Sequence, residues 1–355
     1  MYAPKFSITN EVLSNIGLIE AAKEVIENSP LIPVYEARFV KEAIVRSVHH
    51  GTHIEGNDLT IGEARKIIEG EEVVARDRDI QEVINYRKVL DYIEGLVRVE
   101  NGKPTYTQMM LRKINALAGD RIITDGRAGE IRTTQVVLKK SGTGEVVFRP
   151  PAAVEVSFLL EDFFAWLNSP EGKKLHPVIK AGVVHYVLVA IHPFIEANGR
   201  TVRAFATLIL FAEKYDIKKF FSLEEYFDKD AYHYYQAMMD VDRQSEDLAQ
   251  RDLTPWLEYF TQAMAVELTR VKEKVRQLSF DARKKAKTGD QVSLNERQIK
   301  LMEYLQEKGS LSMSEARKLA PDYSPDTLTR DFNFFVSKGI VRKEGKTKGA
   351  RYMLK

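Results

Sequence analysis

The sequence predicts an all-α protein that carries one β-hairpin and ends in a small separate helical domain. Three observations predict it. Apolar residues recur at helical spacing, as in Ala43, Ile44, Val45 and Val48, or Ile61, Ala64, Ile67 and Ile68. β-Favouring runs flank a turn between Ile131 and Phe148. Past the polar, charged stretch Asp281 to Asp290 the pattern restarts as three short helices and a basic hairpin.

A chain of 355 residues is long enough for two or three domains and buries a large core without disulfide or metal staples. Hydrophobic residues make up 44% and charged residues 29%, an ordinary globular composition. The absence of cysteine excludes disulfide scaffolds, thiolate metal sites and cysteine catalysis, and fits a reducing compartment. With 53 basic and 51 acidic residues the net charge is +2, so the chain as a whole is not a polybasic nucleic-acid binder. Met1 to Asn10 lacks the features of a signal peptide, and no apolar run is long enough to span a membrane. A cytoplasmic location without a membrane partner is expected.

Residues 1–100 read as an N-terminal helical region and 101–280 as a larger helical core. Within the core, Ile131 to Leu138 and Glu145 to Phe148 read as strands around Lys139 to Gly144, and Pro150-Pro151 ends the ladder. Helices follow at Val154 to Leu167 and Val178 to Ile191. The second is apolar all round except for Lys180, His185 and Tyr186, the mark of a helix buried in the middle of a domain. Residues 281–292 read as a linker. Residues 293–355 read as a winged helix-turn-helix: helices at Asn295 to Lys308, Met313 to Leu319 and from Ser324-Pro325-Asp326 to Lys338, then two strands around Gly345 to Gly349. This segment holds 13 basic and 8 acidic residues. Arg342, Lys343, Lys346, Lys348 and Arg351 on the wing, with Thr327, Thr329, Arg330 and Asn333 on the third helix, make DNA an expected partner of 293–355. A protein-interaction role for the same module stands beside it.

The chemistry concentrates in His192-Pro-Phe-Ile-Glu-Ala-Asn-Gly-Arg-Thr-Val-Arg203, directly after the buried helix. Pro193 ends that helix. Asn198-Gly199 reads as a tight turn, with Gly199 free to take positive φ. A loop feeding the next helix offers free N–H groups and a positive dipole end, an anion site. Arg200 and Arg203 can fork onto phosphate oxygens. Glu196 supplies a hard oxygen suited to Mg²⁺, and His192 can take a proton from a hydroxyl. Together these groups describe phosphoryl or nucleotidyl transfer.

The run resembles the signature of the Fic family, His-x-Phe-x-(Asp/Glu)-(Gly/Ala)-Asn-Gly-Arg-x-x-Arg, at every defined position. The resemblance extends over roughly residues 100 to 240, through Gly129-Glu-Ile-Arg132 and the hairpin to Tyr234-Tyr235. It implies a Fic-type helical core and protein adenylylation: AMP passes from ATP to a Ser, Thr or Tyr hydroxyl of a target protein. By that resemblance His192 is the base and Glu196 the Mg²⁺ ligand. Ala197, Asn198, Gly199, Arg200, Thr201, Val202 and Arg203 bind the nucleotide, with Arg203 on the γ-phosphate. Tyr235, rather than Tyr234, lies by the adenine, and the hairpin 131–148 is the flap that docks the target by strand addition. The resemblance also implies homodimers.

Upstream, Gly51-Thr-His-Ile-Glu-Gly-Asn57 resembles the inhibitory helix of Fic proteins, (Ser/Thr)-x-x-x-Glu-(Gly/Asn). By that resemblance Glu55 pairs with Arg203 and forces ATP to bind unproductively. Gly51 departs from the pattern, with Thr52 as the candidate substitute; Gly56-Asn57 is also an ordinary helix stop. His49 and His53 share a helix face, but no third metal ligand is evident. No Walker or Gly-x-Gly-x-x-Gly loop occurs. The resulting expectation is a protein adenylyltransferase inhibited by Glu55. The alternatives are AMP removal from a modified protein, another nucleotide or phosphorylated donor, or a DNA-binding regulator that senses nucleotide. An intact His192 argues against the last.

Overall fold

Side-chain caps and tertiary burial together set the helices of this chain. Its structure, a computed structural model, describes residues 2–29, 31, 33–99, 105–124, 126–139, 144, 146–288, 294–321, 323–345 and 350–354. Two compact units result: Met1–Ser29 with Tyr35–Gln277, and Pro30–Val34 with Leu278–Lys355. The linker residues 289–292, the hairpin turn at 140–143 with Glu145, and the wing residues Lys346 and Lys348 lie outside the described residues.

The first unit opens with α1 (Asn10–Asn28), capped by Thr9, and α2 (Pro33–His53). The reciprocal bonds of Thr60 and Glu63 start α3 (Ile61–Ile68). Helices α4 (Asp77–Val99) and α5 (Gln108–Ala118) follow. A two-stranded antiparallel hairpin joins β1 (Leu138–Lys139) to β2 (Val146–Phe148), with Leu138 opposite Phe148 and a bulge beside it. Then come α6 (Val156–Leu167), α7 (Pro170–Lys174), α8 (Pro177–Ile191), α9 (Asn198–Ala212), α10 (Leu223–Lys229), α11 (Ala231–Asp242) and the long α12 (Thr254–Thr288).

The hairpin is shorter than its β-favouring residues predict. Residues 131–137 do not join the ladder. Their polar groups go elsewhere: the Arg132 N–H donates to Pro193 O at 2.9 Å and Gln135 Nε2 to Pro150 O at 3.1 Å. Composition favours strand there, but the neighbouring loops take the hydrogen bonds.

The predicted buried helix is α8. Every residue from Val178 to Leu188 is buried, including Lys180, His185 and Tyr186. Each polar exception has a partner. Lys180 Nζ pairs with Glu213 in the interior, His185 Nε2 lies 2.9 Å from the Tyr234 hydroxyl, and Tyr186 donates to Asp242 at 2.7 Å. Helix α8 packs against α9, so the loop between them is held at both ends by core.

The second unit holds α13 (Glu296–Lys308), β3 (Ser310–Ser312), α14 (Met313–Leu319), α15 (Pro325–Ser337), β4 (Val341–Glu344) and β5 (Arg351–Leu354). Gly309 ends α13 at φ 73°, and Ser324 caps α15, with proline at the first helical position. The sheet order is β3-β5-β4, all antiparallel. Strand β3 is an addition to the two expected strands: Ser-Leu-Ser carries a single apolar residue, and only its pairing with β5 makes it a strand. Phe332 stacks on Tyr352 at 3.9 Å among Leu301, Leu305, Leu311, Leu328 and Phe335.

The interior pair gives a stability test. Lys180→Ala leaves the Glu213 carboxylate buried without its cation, which should cost about 3–5 kcal/mol in urea unfolding. Lys180→Met with Glu213→Leu removes both charges and should cost less than the single change.

Candidate active site

The turn out of α8 sets the site. His192 caps the helix in the left-handed region (φ 52°), and its N–H donates to Leu188 O at 3.1 Å. Arg132, itself buried, fixes this unusual backbone from the hairpin side. Its Nε donates to His192 O at 2.8 Å and its Nη2 to Pro151 O at 2.6 Å. The loop closes on Asn198: Phe194 N–H donates to its Oδ1 at 3.0 Å and its Nδ2 donates to Phe194 O at 2.8 Å. A second left-handed residue, Ala197 (φ 62°), then launches α9.

The expected positive φ at Gly199 is therefore corrected: His192 and Ala197 hold it, and Gly199 is helical. Left-handed backbone at two non-glycine residues costs about 1–2 kcal/mol each, which the Arg132 and Asn198 bonds offset. Gly199 is needed for a different reason. A Cβ there would overlap Glu55 Oε1 and lie 2.9 Å from Arg203 Nη1.

Among the described residues no side chain caps the N-terminus of α9, which leaves the N–H groups of its first turn open. Arg200 is buried at this end. Among the described residues its Nε and Nη1 have no hydrogen-bond partner, although Nη1 stands 3.3 Å from Glu82 Oε1. Thr201 and Val202 are fully buried. The Thr201 hydroxyl donates to Ala197 O at 2.7 Å and accepts from Asn115 Nδ2 at 3.0 Å. Their side chains brace the helix from within.

Arg203 is buried one turn later. Its Nη2 donates to Glu55 Oε1 at 2.8 Å and to Gly51 O at 2.9 Å. Burial pushes the Glu55 carboxyl up, but Arg203 and then Arg200 outweigh it and hold it below the usual carboxylate value. The Glu55 side chain remains 28% exposed. Gly51 lies against the Tyr86 ring, whose Cζ would be 3.1 Å from an added Cβ. Thr52 does not stand in for the missing hydroxyl, because its Oγ1 donates back to Val48 O and His49 O within its own helix.

Glu196 is 35% exposed and paired with Arg78 of α4. Tyr234 is core, bonded to His185, whereas Tyr235 is part-exposed with its hydroxyl 3.5 Å from Ile54 O. The Phe148 ring of β2 lies 6.3 Å from the His192 ring. His192 is half-buried. Desolvation pushes its pKa down to about 4, against the pull of the Val189 carbonyl and Glu55, so the ring is neutral at pH 7. His50 and His53 both bond Asp228 of α10, and among the described residues no cluster of three metal-ligating groups exists.

Residues 105–210 match the Fic/DOC family. That stretch runs from just before α5 through the hairpin and α8 into α9. The chain carries a Fic domain. It is 31% identical over 180 residues to protein adenylyltransferase Fic of Drosophila grimshawi, covering 50% of this chain and 35% of that protein. It is 32% identical over 176 residues to protein adenylyltransferase fic-1 of Caenorhabditis briggsae, covering 49% and 33%. The chain thus matches about a third of these relatives' length. In fold it resembles the crystal structure of a Fic family protein from Desulfovibrio desulfuricans, with TM-score 0.70 and 21% identity over 100% of this chain and 98% of that one.

Several residues of this candidate site carry no signal of their own in the sequence. Arg78, Glu82 and Asn115 reach it from distant helices. Arg132 stands in the quoted Gly-Glu-Ile-Arg run, but its hold on the His192 carbonyl is visible only in the fold. Tyr86 was hidden by its distance in sequence from Gly51.

The neutral histidines predict how stability depends on pH. Folding holds His192 and His49 down to about 4 and His185 down to about 3, each chiefly by burial, against 6.5 when unexposed to the fold. Unfolding therefore takes up protons below pH 6.5. Their contribution is complete above that pH and is lost progressively as pH falls from 6.5 to about 4. The melting temperature should drop steeply across this window; a flat profile would mean that the rings are charged in the folded protein.

Proposed function

We propose that this Fic domain transfers AMP from ATP to a hydroxyl side chain of a target protein, or of the chain itself, and that Glu55 restrains it. One observation carries the reading most: the buried Arg200 guanidinium, with Nε and Nη1 free of hydrogen bonds at the uncapped start of α9. Such a site calls for an anion. The relatives named protein adenylyltransferases support the choice of ATP.

The residues divide the work as follows. The first-turn N–H groups of α9, from Asn198 to Arg200, and the Arg200 fork hold phosphate oxygens, while Ala197, Thr201 and Val202 shape the turn. Tyr235 covers the adenine. Neutral His192 takes the proton from the target hydroxyl as that oxygen attacks the α-phosphorus and pyrophosphate leaves. Glu196 fits Mg²⁺: it is a single accessible carboxylate, so phosphate oxygens and water would complete the shell. When bound, the ion would neutralise phosphate charge. The hairpin between β1 and β2 offers short unpaired edges to an extended target segment, beside Phe148 and His192.

Glu55 occupies the Arg203 nitrogen that a γ-phosphate would use. A charge-assisted bond of about 1.5–3 kcal/mol shifts that competition tenfold or more. Residues 1–100 are then the regulatory region, 101–280 the catalytic core and 293–355 an accessory domain; of the expected linker 281–292, residues 281–288 instead continue α12.

Incorporation of α-labelled ATP into protein tests the reading. Glu55→Gly should raise labelling about tenfold or more. Adding His192→Ala should remove about 10²–10⁴-fold of it, and adding Arg203→Ala should lower it even without Glu55. Because His192 is held down to about 4, kcat/KM should stay flat from pH 8 to pH 5 rather than fall through 6.5. Folded proteins that incorporate no label in any form would overturn the assignment.

A second role concerns the C-terminal unit. Thr329, Arg330 and Asn333 lie exposed along α15, and Arg330 Nε donates to Asp326 O at 3.5 Å. We infer that this face binds DNA phosphates. Binding of the full chain should weaken with salt, and Arg330→Ala should reduce the salt slope by about one.

A further inference from the structure

Each permanently charged side chain between His192 and Arg203 meets an opposite charge from the N-terminal part of the chain. Arg203 pairs with Glu55, Arg200 stands 3.3 Å from Glu82, and Glu196 pairs with Arg78. The first of these is the restraint already described. The last faces the carboxylate assigned to the cation.

We propose that Arg78 gates the divalent-cation site: its guanidinium sits on the Glu196 carboxylate and must leave before a cation can bind there. The inference rests on the reading of Glu196 as the cation ligand of a nucleotidyl transferase. Its geometry has three parts. Arg78 forks between two carboxylates, with Nη2 on Glu196 Oε1 and Nε on Glu82 Oε1 at 3.2 Å. Glu82 is itself fixed. Its side chain is 5% exposed, accepts from Asn57 Nδ2 at 3.0 Å and stands by Arg200. A buried carboxylate, held by Asn57 and facing Arg200, therefore aims Arg78 at Glu196. Arg78 also lies in the first turn of α4, where a cation opposes the helix dipole, a cost that its i,i+4 pair with Glu82 offsets only in part.

The exchange is also accessible. Arg78 is 58% exposed and Glu196 35%, so the guanidinium can swing into water and keep its bond to Glu82. An exposed pair of this kind is worth little, which suits a contact that must open. Asn57, two residues past Glu55, shares the Glu82 anchor. The gate on Glu196 and the restraint on Arg203 therefore hang from one stretch of α4.

The experiment is a Mn²⁺ titration of the full chain carrying Glu55→Gly, at saturating non-hydrolysable ATP analogue. Free Mn²⁺ is read by electron paramagnetic resonance, so the readout does not depend on turnover. Adding Arg78→Ala should tighten Mn²⁺ about two- to fivefold. Adding Arg78→Lys, which keeps the charge, should leave it near the starting value. Adding Arg76→Ala removes the same charge two residues away, from a side chain that pairs with Asp58 and Asp79, and should also leave it unchanged. Equal affinity with and without Arg78, or an equal gain from Arg76→Ala, would overturn the gate while leaving the transferase reading intact. Nucleotide bound by no folded variant would overturn that reading and the gate with it.

Discussion

A buried guanidinium must be paired, and Arg203 is the one around which the site is arranged. Leaving it alone in the interior would cost several kcal/mol. Its Nη2 is satisfied from α2, by the Glu55 carboxylate and the Gly51 carbonyl. That requirement brings the end of α2 down onto α9. The close approach then dictates two glycines: Gly51, because the Tyr86 ring fills the space beside it, and Gly199, because Glu55 does. A sequence departure at Gly51 thus reads as a fit to Tyr86 rather than a defect.

The end of α2 is tied at several further points. Arg46 Nη1 pairs with Glu225 of α10 and Glu267 of α12, and His50 and His53 share Asp228. Asn57 bonds Asp79 O and Glu82 of α4. Against these ties the Glu55–Arg203 bond is one contact with one solvent-facing oxygen-bearing side chain. Phosphate could replace that contact without dismantling the helix, which is the property a reversible restraint needs.

On the opposite side of the loop, Arg132 performs the complementary task. It spends its guanidinium on backbone carbonyls of His192, Pro151, Ile191 and Thr134. The hairpin stem, the strained turn at His192 and the end of α8 become one piece. Among the β-favouring residues 131–137, Arg132 gives its backbone N–H to the histidine loop rather than to a ladder. It also places Phe148 beside the imidazole, so the candidate docking edge and the candidate base are held in register.

The sequence by itself determined what local pattern encodes. An apolar run without a polar face makes α8 central, Pro193 ends it, and caps such as Ser324 and Gly309 bound the C-terminal helices. The His192–Arg203 run was legible because its residue types and spacing carry chemistry, and Glu55 only through its resemblance to the inhibitory helix of the Fic family. What the tertiary structure alone decided is pairing across distance and the backbone angles that pairing enforces. The sequence placed positive φ at Gly199, where it costs least; the fold places it at His192 and Ala197, because hydrogen bonds from Arg132 and Asn198 outweigh a local preference of about 1–2 kcal/mol. Arg78, Glu82 and Asn115 were silent for the same reason. An ion pair or amide bond depends on which helices meet, and no periodicity within one segment records where its exposed charges will land.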